Sequence, residues 1–336
     1  MTKNLPAKTN SSSLLPVAVT DLGTDGQAAF IEFFTAQIHN ANTRAAYLRA
    51  VRRFCSWLAD AGLQLEGLSP AHVAAYIEPM DKPVDQGGHG LAAATVKQHL
   101  AAIRMLCSFL VVRQIISRNP ALEVRGPKLI VRVGKTPVLT GEEARELFAS
   151  IDLSKPIGLR DRALLGLMVY SFARIGAALE MDVCDYFQVG RKMMLQLHEK
   201  GGKEHQMPAH HTLIEYMEAY LQELGVDPGE TLPTLASKGS SPLFRTINRR
   251  RTGFTDNRLD RREAWAMVKR RTKAAGLGDR FCNHTFRGTG ITAYLANDGD
   301  LQKAQQMAAH ASMQTTKLYD RTDQEATLDE VEKIRL

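Results

Sequence analysis

Helical periodicity stops between residues 118 and 139. The stretch RNPALEVRGPKLIVRVGKTPVL holds three prolines, two glycines and five basic side chains, a mixture that breaks helices and suits a connector. At 336 residues the chain outgrows a single core, so this break predicts two domains. Before it, NTRAAYLRAVRRFCSWLADAG places Tyr47, Val51, Phe54, Trp57 and Leu58 on one helical face, with Asn42 as candidate cap and Gly62 as stop. SPAHVAAYI starts a second helix on Ser69 and Pro70, and TVKQHLAAIRMLCSFLVV keeps the same period through Val96, Leu100, Ile103, Leu106 and Leu110. The first portion is predicted to be an all-helical bundle.

After the break, Thr140 and Glu143 form a capping box, and helical segments continue to about Met181. KMMLQLHEKGGKEHQMPA reads as a β-hairpin around a Gly-Gly pair. Helices then follow at 211–224, 261–275, 284–297 and 301–310, with a short one holding Tyr319. The fold class is mainly α with a small antiparallel sheet. The predicted layout is a flexible tail over 1–22, a helical domain over 23–125, a linker over 126–138, a larger domain over 139–325 and a C-terminal tail over 326–336.

Forty-three Lys and Arg against 36 Asp and Glu give a formal charge of +7, with a pI near 9.2. This balance points to a polyanionic partner, with nucleic acid foremost. Cys55, Cys107, Cys184 and Cys282 are scattered without metal or disulfide spacing, which suits a reducing cytosol. No apolar run is read as approaching the ~20 residues that cross a bilayer, and the N-terminal apolar stretch is too short for a secretory signal. A soluble, cytoplasmic protein with no membrane partner is expected.

Single motifs leave their meaning open. HTFR puts His284 and Arg287 on one face near a helix start, with Asn283 as expected cap, where phosphate can bind; taken alone, the pair reads more readily as a capping histidine or a surface pair. Arg174 sits in the apolar stretch FARIGAAL and needs either an anion or an edge. Lys200, at the mouth of the hairpin, could be merely solubilising. In AAHASMQTTKLYDR, Tyr319 reads as either a core aromatic or a nucleophile, with His310 nine positions earlier. His205, His210 and His211 fit a wet turn better than a metal site. RTINRRRTGFTDNRLDRREAWAMVKRRTK, residues 245–273, is either a solvated face or a phosphate-contacting one.

The set in chain order is more specific. HTFRGTGITAYLANDGDLQKAQQMAAHASMQTTKLYDR, with His-x-x-Arg, Ala-His and Ser-x-x-Thr-Thr-x-x-Tyr, resembles the closing signature of the tyrosine recombinases, or phage-integrase family, to which the Xer and Cre proteins belong. NTRAAYLRAVRRFCSWL and GLAAATVKQHLAAIRMLCSFL resemble that family's SAM-like core-binding domain, so the likeness covers roughly residues 25–325. It implies six catalytic residues: Arg174, Lys200, His284, Arg287, His310 and Tyr319 as nucleophile. Arg44, Lys97, Arg249, Arg250 and Arg251 are candidate DNA contacts.

The implied reaction is cutting and rejoining of duplex DNA through a 3′-phosphotyrosine, with neither cofactor, metal nor ATP, for integration, excision or resolution of DNA elements. A tyrosine with an ordinary pKa of ~10 needs a base as it attacks; the resemblance gives His284 that role, His310 a hydrogen bond to the phosphate, and Lys200 the proton for the leaving 5′-oxygen. The implied partners are double-stranded DNA with paired inverted-repeat half-sites and further copies of the chain, a dimer on one site and a tetramer in synapsis, with the C-terminal tail docking in trans. The two domains are expected to clamp the duplex. One position departs from the family. Three residues after its first arginine the family usually carries a carboxylate, and here stands Ala177, with Glu180 and Asp182 at unsuitable spacings. A type IB topoisomerase and a non-catalytic DNA-binding accessory protein are the alternatives.

Overall fold

The structure is a computed structural model that describes residues 15–128, 134, 136–199, 202–226 and 241–320. It divides into two compact units, Met1–Ile130 and Val131–Leu336. Lys200, the tail over 326–336, residues 1–14 and part of the expected linker lie outside the described residues.

The first unit is helical: α1 (Val17–Thr20), α2 (Gly23–Glu32) running into a π-helical turn at Phe33–Gln37, α3 (Ala41–Asp60), α4 (Pro70–Ile77) and α5 (Ala93–Val112). The expected mobile tail through residue 22 is corrected at its end, because Ala18 and Val19 of α1 are buried in the core. Asn40, not Asn42, caps α3: its side chain accepts from the Asn42 and Thr43 N–H groups at 3.1 Å. Gly62, at φ +66°, ends that chain segment in the left-handed region that glycine adopts without strain. Ser69 and His72 form a capping box on α4, with Pro70 at its first position.

The apolar stripes of these helices make one core. Val51, Phe54 and Leu58 of α3 meet Val73 and Tyr76 of α4 and Leu100 and Ile103 of α5, with the Phe54 and Tyr76 rings 4.9 Å apart. Among the described residues, α5 is long and apolar enough to cross a bilayer, with 20 residues and a mean hydropathy of 1.3. That corrects the reading that no apolar run approaches this length. Its seven buried residues pack into the helical core, and Lys97 and Arg104 interrupt it.

The second unit runs α6 (Gly141–Ala149), α7 (Pro156–Tyr170), α8 (Ile175–Glu180), β1 (Tyr186–Val189), β2 (Lys192–Glu199), β3 (Lys203–Pro208), α9 (His211–Glu223), β4 (Arg245–Ile247), β5 (Phe254–Arg258), α10 (Arg261–Ala274), α11 (Asn283–Ala296), α12 (Leu301–Met307) and α13 (Met313–Lys317). The hairpin belongs to a three-stranded antiparallel sheet in the order β1-β2-β3, with Leu197 opposite His205 and Glu199 opposite Lys203. A separate ribbon pairs β4 with β5. The ribbon occupies the first part of the basic stretch that sequence alone showed only as a charge run.

Two helices carry this unit's centre. Leu164, Leu165, Leu167 and Met168 of α7 pack against Leu213, Met217 and Tyr220 of α9. Asp161 on α7 is completely buried, and its carboxylate accepts from Arg160 at 2.7 Å, Arg270 at 3.1 Å and Arg271 at 2.9 Å, which ties α7 to α10. Three guanidiniums offset the cost of one buried anion. Behind α7 passes α11 at close range: a Cβ on Gly290 would lie 1.9 Å from the Val169 carbonyl oxygen.

Candidate active site

The first turn of α11 begins at Asn283, with Cys282 in the cap position and its N–H donating to Thr285 Oγ1 at 3.1 Å. The expected Asn283 cap is thus one residue off, because the Thr285 side chain reaches back to Cys282. His284 and Arg287 share a face three residues apart, as their spacing predicted.

Arg287 is almost wholly buried, 1% exposed. One Nη donates to the Phe172 carbonyl and the other to the Ala308 carbonyl, the latter at 2.5 Å. Those carbonyls lie just past the ends of α7 and α12, where helices leave unsatisfied acceptors. The chain turns left-handed at Phe172 (φ +55°) and Ala309 (φ +46°), at roughly 1–2 kcal/mol for each non-glycine residue. One guanidinium therefore holds two strained turns. Its buried Nε–H has no partner. Burial, then the charge of Arg174, lowers the Arg287 pKa to about 10, so the group stays cationic at neutral pH.

His310 follows the Ala309 turn. Its Nδ1 hydrogen-bonds Thr316 Oγ1 at 2.9 Å, and its ring lies nearly parallel to that of Tyr319, at 10° with centroids 5.9 Å apart. Burial, followed by the charges of Arg287 and Arg174, pushes its pKa down to about 3. It is a neutral imidazole at pH 7.

Tyr319 stands two residues beyond α13 rather than inside a helix, its N–H donating to the Thr316 carbonyl at 2.9 Å. Thr292 Oγ1 donates to the Tyr319 carbonyl at 3.1 Å, and the Gly134 N–H donates to the Leu318 carbonyl at 2.9 Å. The ring rests on Gly288, where an added Cβ would sit 3.3 Å from Cε1.

The Tyr319 hydroxyl is 2.7 Å from His284 Nε2. Burial raises the phenol's pKa, against the opposing charges of Arg287 and Arg174. Desolvation, then the charges of Arg287 and Arg174, lowers the imidazole's pKa, although the residue as a whole is exposed. At neutral pH the phenol is therefore protonated and the imidazole neutral, so the O–H donates to Nε2.

Arg174 occupies the cap position of α8, its side chain 38% exposed. Its Nη1 pairs with the carboxylate of Glu199, the last residue of β2, whose side chain is 3% exposed. Sequence reading missed Glu199. The available signal was its place on the face of β2 that carries the buried Leu195 and Leu197, where an acid needs a cation. Asp182 instead accepts from Arg258 at 2.5 Å, and Glu180 is exposed.

Five of the six sequence-predicted catalytic residues lie in one cluster: Arg174, His284, Arg287, His310 and Tyr319. The sixth, Lys200, follows Glu199 in the sequence. Arg249, Arg250 and Arg251 are exposed in the turn between β4 and β5. In the first unit Lys97 is exposed on α5, whereas Arg44 is half-buried and donates to the Phe34 carbonyl at 3.4 Å. His210 caps α9 and stacks on Tyr170 at 4.4 Å. Among the described residues no group of three His, Cys, Asp or Glu is placed to hold a metal ion.

A phenol hydrogen-bonded to a neutral imidazole beside two arginines is an arrangement that can give up the phenolic proton next to a bound anion. The sequence matches the Phage integrase family over residues 137–326 and the phage integrase N-terminal SAM-like domain over residues 29–114. The chain belongs to the phage integrase family, the tyrosine-type DNA recombinases. Its curated relatives include Tyrosine recombinase XerD of Corynebacterium glutamicum, 29% identical over 284 residues, covering 83% of this chain and 87% of that protein. The XerD of Pseudomonas aeruginosa is 26% identical over 279 residues, covering 83% and 86%. Among solved structures, the XerH site-specific recombinase in a post-cleavage complex with a palindromic difH substrate matches at a TM-score of 0.66 and 20% identity, covering 96% of this chain and 92% of that one. A lambda integrase dimer on a COC′ core site matches at 0.58 and 18%, covering 89% and 96%. At these identities the structural likeness is one of fold.

Proposed function

We propose that this protein is a site-specific recombinase that cuts and rejoins duplex DNA through a 3′-phosphotyrosine at Tyr319, acting in the cytoplasm on inverted-repeat half-sites as a dimer and, in synapsis, as a tetramer. The observation that carries the reading is the 2.7 Å contact between the Tyr319 hydroxyl and His284 Nε2 beside the buried Arg287.

His284 takes the phenolic proton as Tyr319 Oη attacks phosphorus. Charge building on the non-bridging oxygens meets Arg287, through its unspent Nε–H, and Arg174. His310, fixed through Nδ1 by Thr316, offers Nε2 to the same phosphate. The bond to the 5′-oxygen breaks, and Lys200 protonates that leaving group. Energy of the ester is kept in the protein–DNA bond, so reversal rejoins the strand with a 5′-hydroxyl as nucleophile. DNA contacts come from Lys97, Arg44 and the exposed Arg249, Arg250 and Arg251, and the C-terminal tail links neighbouring subunits. XerD and XerH are recombinases by name, which favours strand exchange over relaxation or passive binding.

A nicked suicide duplex carrying the recognition site tests this. Wild type should form a covalent adduct in EDTA without ATP, and Tyr319→Phe should bind the duplex but form none. Adduct formation by Tyr319→Phe, or binding without adduct by wild type, would refute the assignment.

A further inference from the structure

We propose that Glu199 is the positioning residue for Arg174, supplying from the end of β2 the orienting carboxylate that Ala177 cannot provide on α8. The inference rests on the phosphotyrosine reading above and adds a residue to it.

Arginine is long and flexible, and fixing it costs rotamer entropy unless the surroundings hold it. Arg174 begins with little to hold it. Its side chain is 38% exposed, its neighbour at position 177 is a buried alanine, Glu180 is exposed to solvent and Asp182 is taken by Arg258. Among the described residues, the Glu199 carboxylate is the acid that reaches it. The pair is asymmetric: Glu199 is buried and Arg174 is not, so the rigid strand holds the carboxylate and the carboxylate holds the arginine. Only Nη1 is engaged, while Nε and Nη2 make no protein hydrogen bond among the described residues. Those are the donors a phosphate would need.

Glu199 also balances the site as a whole. Arg174, Arg287, His284 and His310 bring two fixed cations and two imidazoles together, and Glu199 sets a negative charge against the two arginines. Its negative charge favours the charged form of Arg287 as well. Diagonally across the strand pair stands His205, whose Nε2 is buried without a partner; burial lowers its pKa, and the Glu199 charge opposes that shift only in part. In sequence Glu199 precedes Lys200, so the residue that aims one phosphate-binding arginine and the residue assigned to the leaving group are adjacent on one hairpin.

An opposite role is available to the same ion pair. A carboxylate on Arg174 could act as a latch that DNA must displace, and its removal would then speed cleavage. Single-turnover adduct formation on preformed complexes separates the two. Glu199→Gln should slow cleavage by ~10–100-fold, as expected when a reacting group is misplaced by about 1 Å, with duplex affinity and melting temperature close to wild type. In the double variant with Arg174→Ala the rate should be no lower than in Arg174→Ala alone, because the carboxylate acts through that arginine. Glu199→Asp, which keeps the charge and shortens the reach, should also be slow and serves as the reporter if the glutamine variant does not fold. A Glu199→Gln or Glu199→Asp enzyme as fast as wild type or faster, or a double variant whose losses multiply, overturns the proposal. If wild type forms adduct, such a result leaves the phosphotyrosine reading standing; a wild type without adduct overturns both.

Discussion

Arg287 holds the local architecture and, in the proposed reaction, also the chemistry. Its two Nη groups close the chain turns at Phe172 and Ala308, while its Nε–H stays unspent. Arg287→Lys, which has no planar fork, should lose cleavage and also stability, by roughly 3 kcal/mol on the scale of a broken buried charge network; urea titration beside an adduct assay measures both. The imidazoles make a pH prediction. His284 has a lowered pKa, so cleavage should persist through pH 6.5 and fall only below the ordinary histidine range of ~6.5. An acid limb with its midpoint above 6.5 would contradict this. His310 gains a proton near 6.5 when unfolded and only near about 3 when folded. The unfolded chain thus binds more protons between those values, and stability is lost as pH falls through that window, with a limiting slope of ~1.4 kcal/mol per pH unit. His310→Gln should flatten that slope in denaturation curves.

At the scale of elements, glycines set how closely α11 approaches its neighbours. Gly290→Ala would drive a methyl into the Val169 carbonyl and should destabilise by about 1–3 kcal/mol, read as a lower melting temperature. Gly288→Ala crowds Val138 and the Tyr319 ring, and should reduce adduct formation more than stability. Neither approach was legible in the sequence, since a glycine in a helical pattern does not say which backbone passes it. The long helices were legible, because α3 and α5 repeat apolar residues at helical spacing and α4 carries Ser69 and Pro70 at its start. The β2–β3 hairpin was marked by Gly201 and Gly202. Helix α1 and the β4–β5 ribbon were not: four residues hold too little periodicity, and Phe254–Arg258 mixes half-buried and exposed residues without alternation. The residues of the cluster were legible only as a set in order. Glu199 escaped because its partner, Arg174, is 25 positions away on another element, and spacing along one helix pointed elsewhere.

For the whole molecule, net charge makes a prediction about grip. If Arg249, Arg250 and Arg251 each meet a phosphate, replacing all three by alanine should flatten the log–log salt dependence of duplex binding by ~0.9 for every phosphate that is no longer neutralised. An unchanged slope in a salt series would remove that turn from the interface. The anchoring of Tyr319 bears on division of labour between copies. Thr292 and Gly134 bind the Tyr319 and Leu318 carbonyls, on either side of the tyrosine, to the same unit that carries Arg287 and His310. In the proposed assembly, a tyrosine held this way acts within its own protomer. Blending a protein that lacks the phenol with one that lacks Arg287 should therefore restore nothing: two broken tools of this design cannot lend each other the missing part.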